Sequence, residues 1–284
     1  MKTNLDCIPC FLNQALRAGR IYTDNKKLLK QILDEVAAIL PKIPLDHKPP
    51  ETGDLIYKKI KQITNTQDPL SSIKSKSTEE ALELFPYYQK KLNSIKSKEK
   101  RLLFALKLAI AGNIIDFAIE GKFNIQKDVN EVLNKELAIN HIDKFEQELQ
   151  KANTILYIAD NAGETVFDKF LIQEIDHKIL YLVRDEPVIN DATKKDAEAA
   201  GIDKIATIIK SGSTSPGLLI KNTTDEFKNI FQKADMVISK GQGNFEGLSD
   251  ETRPIFFLLK AKCEVIANNL NVNKNEIVLK AINI

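Results

Sequence analysis

The chain has 284 residues, 43% of them hydrophobic and 28% charged, the composition of a soluble globular protein large enough for one sizeable domain or two ordinary ones. Lysine and arginine number 41 against 39 aspartate and glutamate, a formal net charge of +2 that gives no general reason to expect nucleic acid or an anionic membrane as partner. No stretch approaches the roughly 18 to 20 consecutive apolar residues that span a bilayer. The N-terminus MKTNLDCIPCF lacks the apolar core of a secretory signal, so a cytoplasmic protein is expected. Three cysteines, an odd number, argue against a disulfide framework and leave metal, redox or burial as their uses.

From Leu5 to about Leu149 the pattern is helical, with apolar residues at spacings of three and four and no strand signal; Leu28, Leu29, Ile32, Leu33, Val36, Ala37 and Leu40 are one example. Prolines at 41, 44, 49 and 50 break the run, and Asp68-Pro69 and Phe85-Pro86 punctuate the helical pattern beyond them. The Lys- and Ser-rich segment from Ser71 to Lys100 has glutamates interleaved and reads as solvated helix faces with their connection. After Asn153 short apolar runs alternate with helix-length connections. The runs are Ile155 to Ala159, Ile179 to Val183, Ile205 to Ile209, Met236 to Ser239, Ile255 to Leu259 and Ile277 to Ala281. That alternation implies right-handed crossovers and a mostly parallel sheet covered on both faces. The expected architecture is α/β: a helical region over 1–150, then a Rossmann-like unit over 151–284 that carries the site.

In such a sheet ligands bind beyond the carboxyl ends of the strands. Asp160, Asn161 and Gly163-Glu164 come directly after the first run, although Asp160 alone could serve only to cap the next helix. Asp191 ends the segment after the second run and could likewise be a cap. Ser211 to Gly217, after the third, is a small-residue loop whose backbone could approach a ligand closely. Lys240, Gly241 and Gly243, after the fourth, place an ammonium beside flexible backbone, a natural phosphate cradle without P-loop spacing. Carboxylates with an amide and a Lys-Gly turn suit one hard divalent cation and a phosphate. His47, His141 and His177 lie away from the strand ends and support neither a Ser-His pair nor a His-rich zinc site. Cys7 and Cys10 have a spacing that lets two thiolates share a metal or form a redox pair; alternatively they are two buried thiols at a helix start, and Cys263 is the third cysteine.

The DNAGE of Asp160 to Glu164, the VRDEPVINDAT of Val183 to Thr193 and the KGQGNFEGL of Lys240 to Leu248 resemble the motifs of the damage-control phosphatases, a former family of unknown function. The CIPC of Cys7 to Cys10, the AGNIID of Ala111 to Asp116 and the LLKAKCEVIA around Cys263 look like its prokaryotic subgroup. The resemblance runs nearly end to end. It departs at Asn273-Lys274-Asn275, a turn where a glycine is expected. It implies a metal-dependent phosphatase with one divalent ion (Mg²⁺, Mn²⁺, Co²⁺ or Ni²⁺) held by Asp160, Asn161 and Asp191. It implies a phosphate-binding role for Lys240, and small phosphorylated metabolites, sugar phosphates among them, as substrates. Asn113 and Asp116, one helical turn apart on one face of an apolar helix, would reach either the cleft or a buried hydrogen bond, and the resemblance implies the cleft. Glu164 either supports the site or is a solvated helix carboxylate.

Two further functions fit the same sheet. A methyltransferase using S-adenosylmethionine would share it, yet no G-x-G-x-x-G succeeds any strand and Lys240 with the Asp pair has no use there. A non-enzymatic, metal- or redox-responsive module would instead rest on Cys7, Cys10 and Cys263.

Overall fold

A computed structural model describes residues 1–68, 70–112 and 125–284. Three helices come first: α1 (Cys7–Tyr22), α2 (Lys26–Ile39) and α3 (Pro49–Thr64). Asn25 caps α2, its side chain accepting from the backbone N–H of Lys27. Pro49 and Pro50 occupy the first turn of α3, where a missing N–H costs nothing. The apolar stripes of these three helices meet in a core of their own, built on Phe11, Ala15, Ile32, Val36, Ile56 and Ile60. Val188, from a loop far along the chain, joins it.

Next come α4 (Ser71–Ser94), α5 (Lys98–Ala111) and α6 (Ile125–Asn134). Helix α4 continues through Pro86, where the sequence marks a break. Phe85 stacks on Phe170 at 4.4 Å and Tyr88 packs against Phe167, so anchors on both sides of Pro86 hold the helix despite one missing hydrogen bond. Lys74, in the run expected to be solvated, is buried and pairs with Asp68 at 3.0 Å and Asp196 at 3.1 Å.

A strand, β1 (Leu137–Asn140), lies inside the stretch that reads as wholly helical. With four residues and two inward apolar positions, it is too short for periodicity to separate it from a helix tail. It pairs with the far end of the chain, Leu137 opposite Ile277, and His141 Nδ1 accepts from Ala281 N. Helix α7 (Ile142–Lys151) comes next, and the remaining elements alternate: β2 (Thr154–Ile158), α8 (Glu164–Glu174), β3 (Lys178–Val183), α9 (Lys194–Ala200), β4 (Thr207–Lys210), α10 (Asp225–Lys233), β5 (Met236–Lys240), α11 (Gln242–Leu248), β6 (Ile255–Lys260), α12 (Glu264–Leu270) and β7 (Ile277–Ile282).

The seven strands lie in the order β1-β7-β6-β5-β2-β3-β4. The sheet is parallel from β6 to β4 and reverses at β7, which runs antiparallel to β6. Alternate residues of β2 enter different cores: Ile155 and Tyr157 pack with α4, α5 and α8, while Leu156 and Ile158 pack with α10 to α12. Asn275 has a φ of 70°. It therefore supplies the left-handed residue in the turn before β7 where glycine is expected, a conformation asparagine tolerates. Strand β2 leads through α8 to β3 on one side, whereas its neighbour β5 leads through α11 to β6 on the other. The carboxyl ends of β2 and β5 are thus a topological switch point, where an open α/β sheet leaves a crevice. Among the described residues no helix is long and apolar enough to cross a membrane.

Candidate functional site

The residues at this switch point belong to three loops tied together by backbone. After β2, the chain turns at Asp160 to Gly163. The cap position of α8 is held by Gly163, so Asp160 does not occupy it. The Asp160 carbonyl accepts from Ala192 N at 2.8 Å, the Asn190 carbonyl accepts from Ala162 N at 2.9 Å, and Asn161 bridges to Asp191 in antiparallel fashion. Helix α9 is capped by Thr193, whose N–H donates to Asp196, so Asp191 is not a cap either. Asp160, Asn161 and Asp191 are thereby brought to one point, all under a tenth exposed.

Their hydrogen bonds decide which atoms face outward. Asn161 donates through Nδ2 to Asp160 Oδ2 at 3.2 Å and to Glu164 Oε1 at 2.6 Å. Both amide hydrogens are committed, which leaves its carbonyl oxygen to a cation. Asp191 Oδ2 accepts from Arg184 Nε at 2.6 Å, and Oδ1 accepts no hydrogen bond among the described residues. Arg184 is itself fixed by Asn244, which accepts from Nη2 at 2.8 Å and donates to the carbonyls of Ala159 and Lys240. Two carboxylates and one amide oxygen, with no thiol or imidazole among them, fit a hard divalent cation that keeps further positions for water and phosphate.

Gly241 is placed by this set. With φ 79° and ψ 167° it sits in a region open almost only to glycine, and a Cβ there would overlap the Asp160 carboxylate. Its N–H is taken by the Leu258 carbonyl, so what it gives the site is room for Asp160. Gly241→Ala is expected to cost about 1–3 kcal/mol of backbone strain. By displacing Asp160 it is also expected to weaken Mn²⁺ binding about tenfold or more, measured by titration calorimetry. Gly243 lies in the first turn of α11, where its carbonyl meets Gly217. The small residues from Ser211 to Gly217 thus let that loop pack on α11, with the hydroxyls of Ser213 and Ser215 bonded to each other at 2.9 Å.

The side chain of Lys240 is paired with two carboxylates of α8. Fully buried, its ammonium donates to Asp168 Oδ1 at 2.6 Å and Glu164 Oε2 at 3.1 Å. Asp168 also accepts from the hydroxyls of Tyr157 and Tyr181, each at 2.7 Å. Glu164 is 1% exposed and links this network to Asn161, so it is no solvated carboxylate. Asn113 and Asp116 lie outside the described residues.

Burial pushes Asp191 up to about 6 from its ordinary 3.8, with Arg184 opposing and Asp160 adding to the rise. Burial pushes Glu164 up to about 7 from 4.5, with Lys240 and Lys262 opposing and Asp160 and Asp168 adding. Both folded values lie above the unfolded ones. The folded chain therefore holds protons between pH 3.8 and about 6 at Asp191, and between 4.5 and about 7 at Glu164, that the unfolded chain has released. These two groups lose stability as pH rises through those windows, the reverse of an ordinary paired carboxylate. A cation must displace the same protons. Mn²⁺ affinity is expected to fall on acidification, approaching about tenfold per pH unit for each proton displaced, as calorimetric titrations from pH 8 to pH 5 would show.

Several residues of the site carry no motif signal of their own. Arg184 and Asn244 lie within the VRDEPVINDAT and KGQGNFEGL stretches but have no role read from them, and Asp168 lies one turn beyond Glu164 on α8. Lys262, just past β6, comes close enough to Glu164 to favour its ionised form, and its backbone N–H donates to Gln242 Oε1 at 3.1 Å. Between α3 and the loops after β3 and β4 lies a cavity of about 230 Å³ lined by Asp54, Tyr57, Lys61, Glu186, Val188 and Thr214. Cys7, Cys10 and Cys263 are free thiols, Cys10 exposed and the other two partly buried, with burial pushing the Cys7 and Cys263 thiols up. Among the described residues no group of three or more His, Cys, Asp or Glu is placed to hold a metal ion. The arrangement at Asp160, Asn161 and Asp191 differs by using an amide.

Residues 3–278 match the model of the damage-control phosphatase ARMT1-like domain. The chain is 36% identical over 287 residues to a damage-control phosphatase of Pyrococcus horikoshii, covering 98% of this chain and 97% of the relative. It is 34% identical over 290 residues to an uncharacterized protein of Methanocaldococcus jannaschii (98% and 95% covered), and 29% identical over 293 residues to a damage-control phosphatase of Archaeoglobus fulgidus (99% and 100% covered). The crystal structure of a DUF89 family protein from Pyrococcus horikoshii superposes with a TM-score of 0.88 at 34% identity, covering 98% of each chain. The match in sequence and fold over almost the whole length shows that the chain belongs to the damage-control phosphatase family.

Proposed function

We propose that this chain is a phosphomonoester hydrolase acting on small phosphorylated metabolites, sugar phosphates or damaged phosphometabolites, with one divalent ion (Mg²⁺, Mn²⁺, Co²⁺ or Ni²⁺) held by Asp160, Asn161 and Asp191. The observation that carries this reading is Asn161, whose two amide hydrogens are committed to Asp160 and Glu164 so that its oxygen joins the two aspartates. When bound, the ion supplies charge neutralisation on the phosphoryl oxygens, which is most of what transfer to water requires. Arg184 holds Asp191, and Glu164, braced by Lys240, holds Asn161. Lys262, near enough to Glu164 to favour its ionised form, and the third ammonium N–H of Lys240, which gives its other two to Glu164 and Asp168, are the cations we assign to the phosphate. The cavity beside Val188 is assigned to the organic part of the substrate.

The test is phosphate release from a panel of sugar phosphates and other phosphometabolites by chelator-treated protein resupplied with each metal in turn. Metal-dependent release is expected. Folded protein that releases no phosphate with any of the four metals contradicts the proposal.

A further inference from the structure

The turn that carries Asp191 has isoleucine where its shape favours glycine. Asp191 N donates to the Val188 carbonyl at 3.0 Å, closing a four-residue turn whose first central residue, Ile189, has φ 46°. Turns with positive φ at that position ordinarily use glycine or asparagine, and a β-branched residue there is strained. Such strain persists only where the surroundings over-determine the conformation. Here they do. Val188 is 3% exposed in the core of α1 to α3, and Ile189 packs against the same core. Lys61 of α3 donates to the neighbouring Pro187 carbonyl. On its other side the turn is tied to the β2 loop through Ala162 N to the Asn190 carbonyl and Ala192 N to the Asp160 carbonyl.

We infer that Ile189 is a positioning residue: with Val188 it anchors this turn in the α1–α3 core, so that Asp191 is held beside Asp160 by the N-terminal helices as well as by the sheet. This rests on the proposed metal role of Asp191. It gives the N-terminal helices a part in the site that needs no contact with substrate. A residue chosen for backbone ease alone would be glycine, which fits the turn and provides no anchor.

The experiment is Mn²⁺ titration calorimetry on chelator-treated parent, Ile189→Gly, Ile189→Leu, Val188→Ala and Asp191→Asn, with metal-free melting curves for each. Ile189→Gly is expected to bind Mn²⁺ about tenfold or more weakly, the cost usual for losing support behind a metal ligand. Its melting temperature is expected to stay near the parent's, since relief of strain offsets lost burial. Ile189→Leu, which keeps an anchor, is expected to restore affinity to within about twofold of the parent, well inside that cost. Val188→Ala removes the other anchor without touching the strained backbone and is expected to weaken binding in the same direction, which keeps the test decisive if Ile189→Gly does not fold. Parent-like affinity in folded Ile189→Gly, or in Val188→Ala, overturns the inference. If Asp191→Asn is impaired while those variants are not, the metal reading stands and this inference alone fails. If Asp191→Asn binds as tightly as the parent, both fail.

Discussion

Lys240→Met is expected to destabilise the fold by about 3–5 kcal/mol, before any effect on turnover, because it breaks a buried ion pair from one side. Burial works against the ammonium, but Asp168 and Glu164 outweigh it and hold its pKa above the ordinary lysine value. Without Lys240, two carboxylates that are at most 1% exposed lose the ammonium that bonds to both. Adding Glu164→Gln to Lys240→Met replaces a carboxyl that has lost the support of Lys240 for its ionised form, so the double variant is expected to recover part of the loss at alkaline pH, where that carboxyl would otherwise have to ionise. Denaturant midpoints of the three proteins measure this. A Lys240→Met protein as stable as the parent, with only a raised KM for the phosphate ester, would make phosphate binding rather than the buried ion pair the main role of Lys240.

Asp160→Asn is expected to do the opposite: lose activity and gain stability. The substitution keeps the side chain's shape beside Gly241 and removes one negative charge from the donor set. Several kcal/mol of transition-state stabilisation by the ion depend on that charge, so turnover is expected to fall on the order of 10³-fold. Asp160 also raises the pKa values of both Asp191 and Glu164, so the metal-free site holds carboxylates in mutual repulsion. Removing one relieves it, and the metal-free variant is expected to melt above the parent. Stability traded against activity in this way marks a functional site rather than a structural one.

Much of the fold is legible in the sequence because the strands of a parallel sheet are buried on both faces. Runs such as Ile155 to Ile158 and Met236 to Ser239 therefore stand out without periodicity. The strand-end rule then gathers Asp160, Asn161 and Asp191, which the structure brings together. The features that escape it depend on three-dimensional neighbours. Strand β1 exists only through its pairing with β7, and Pro86 lies within α4 only because Phe85 and Tyr88 are anchored on α8. Lys240, expected to bind phosphate, also has a buried ion pair that the sequence does not announce. Strand parity puts its side chain with Met236 and Ile238, toward the core that includes α8 residues Val166, Phe167 and Phe170. The two carboxylates that meet it there are on α8, far away in sequence. Ile189 carries no signal because a positive φ cannot be read from an isoleucine.

The most direct measurement is phosphate release by chelator-treated parent and Asp160→Asn, side by side, as Mn²⁺ is titrated in. The expected result is saturable activation of the parent from a negligible baseline, with the variant lower by about 10³-fold at every metal concentration, as loss of one ligand charge requires. Release that proceeds equally well without Mn²⁺, or a folded Asp160→Asn protein as active as the parent, would contradict the assignment of this site.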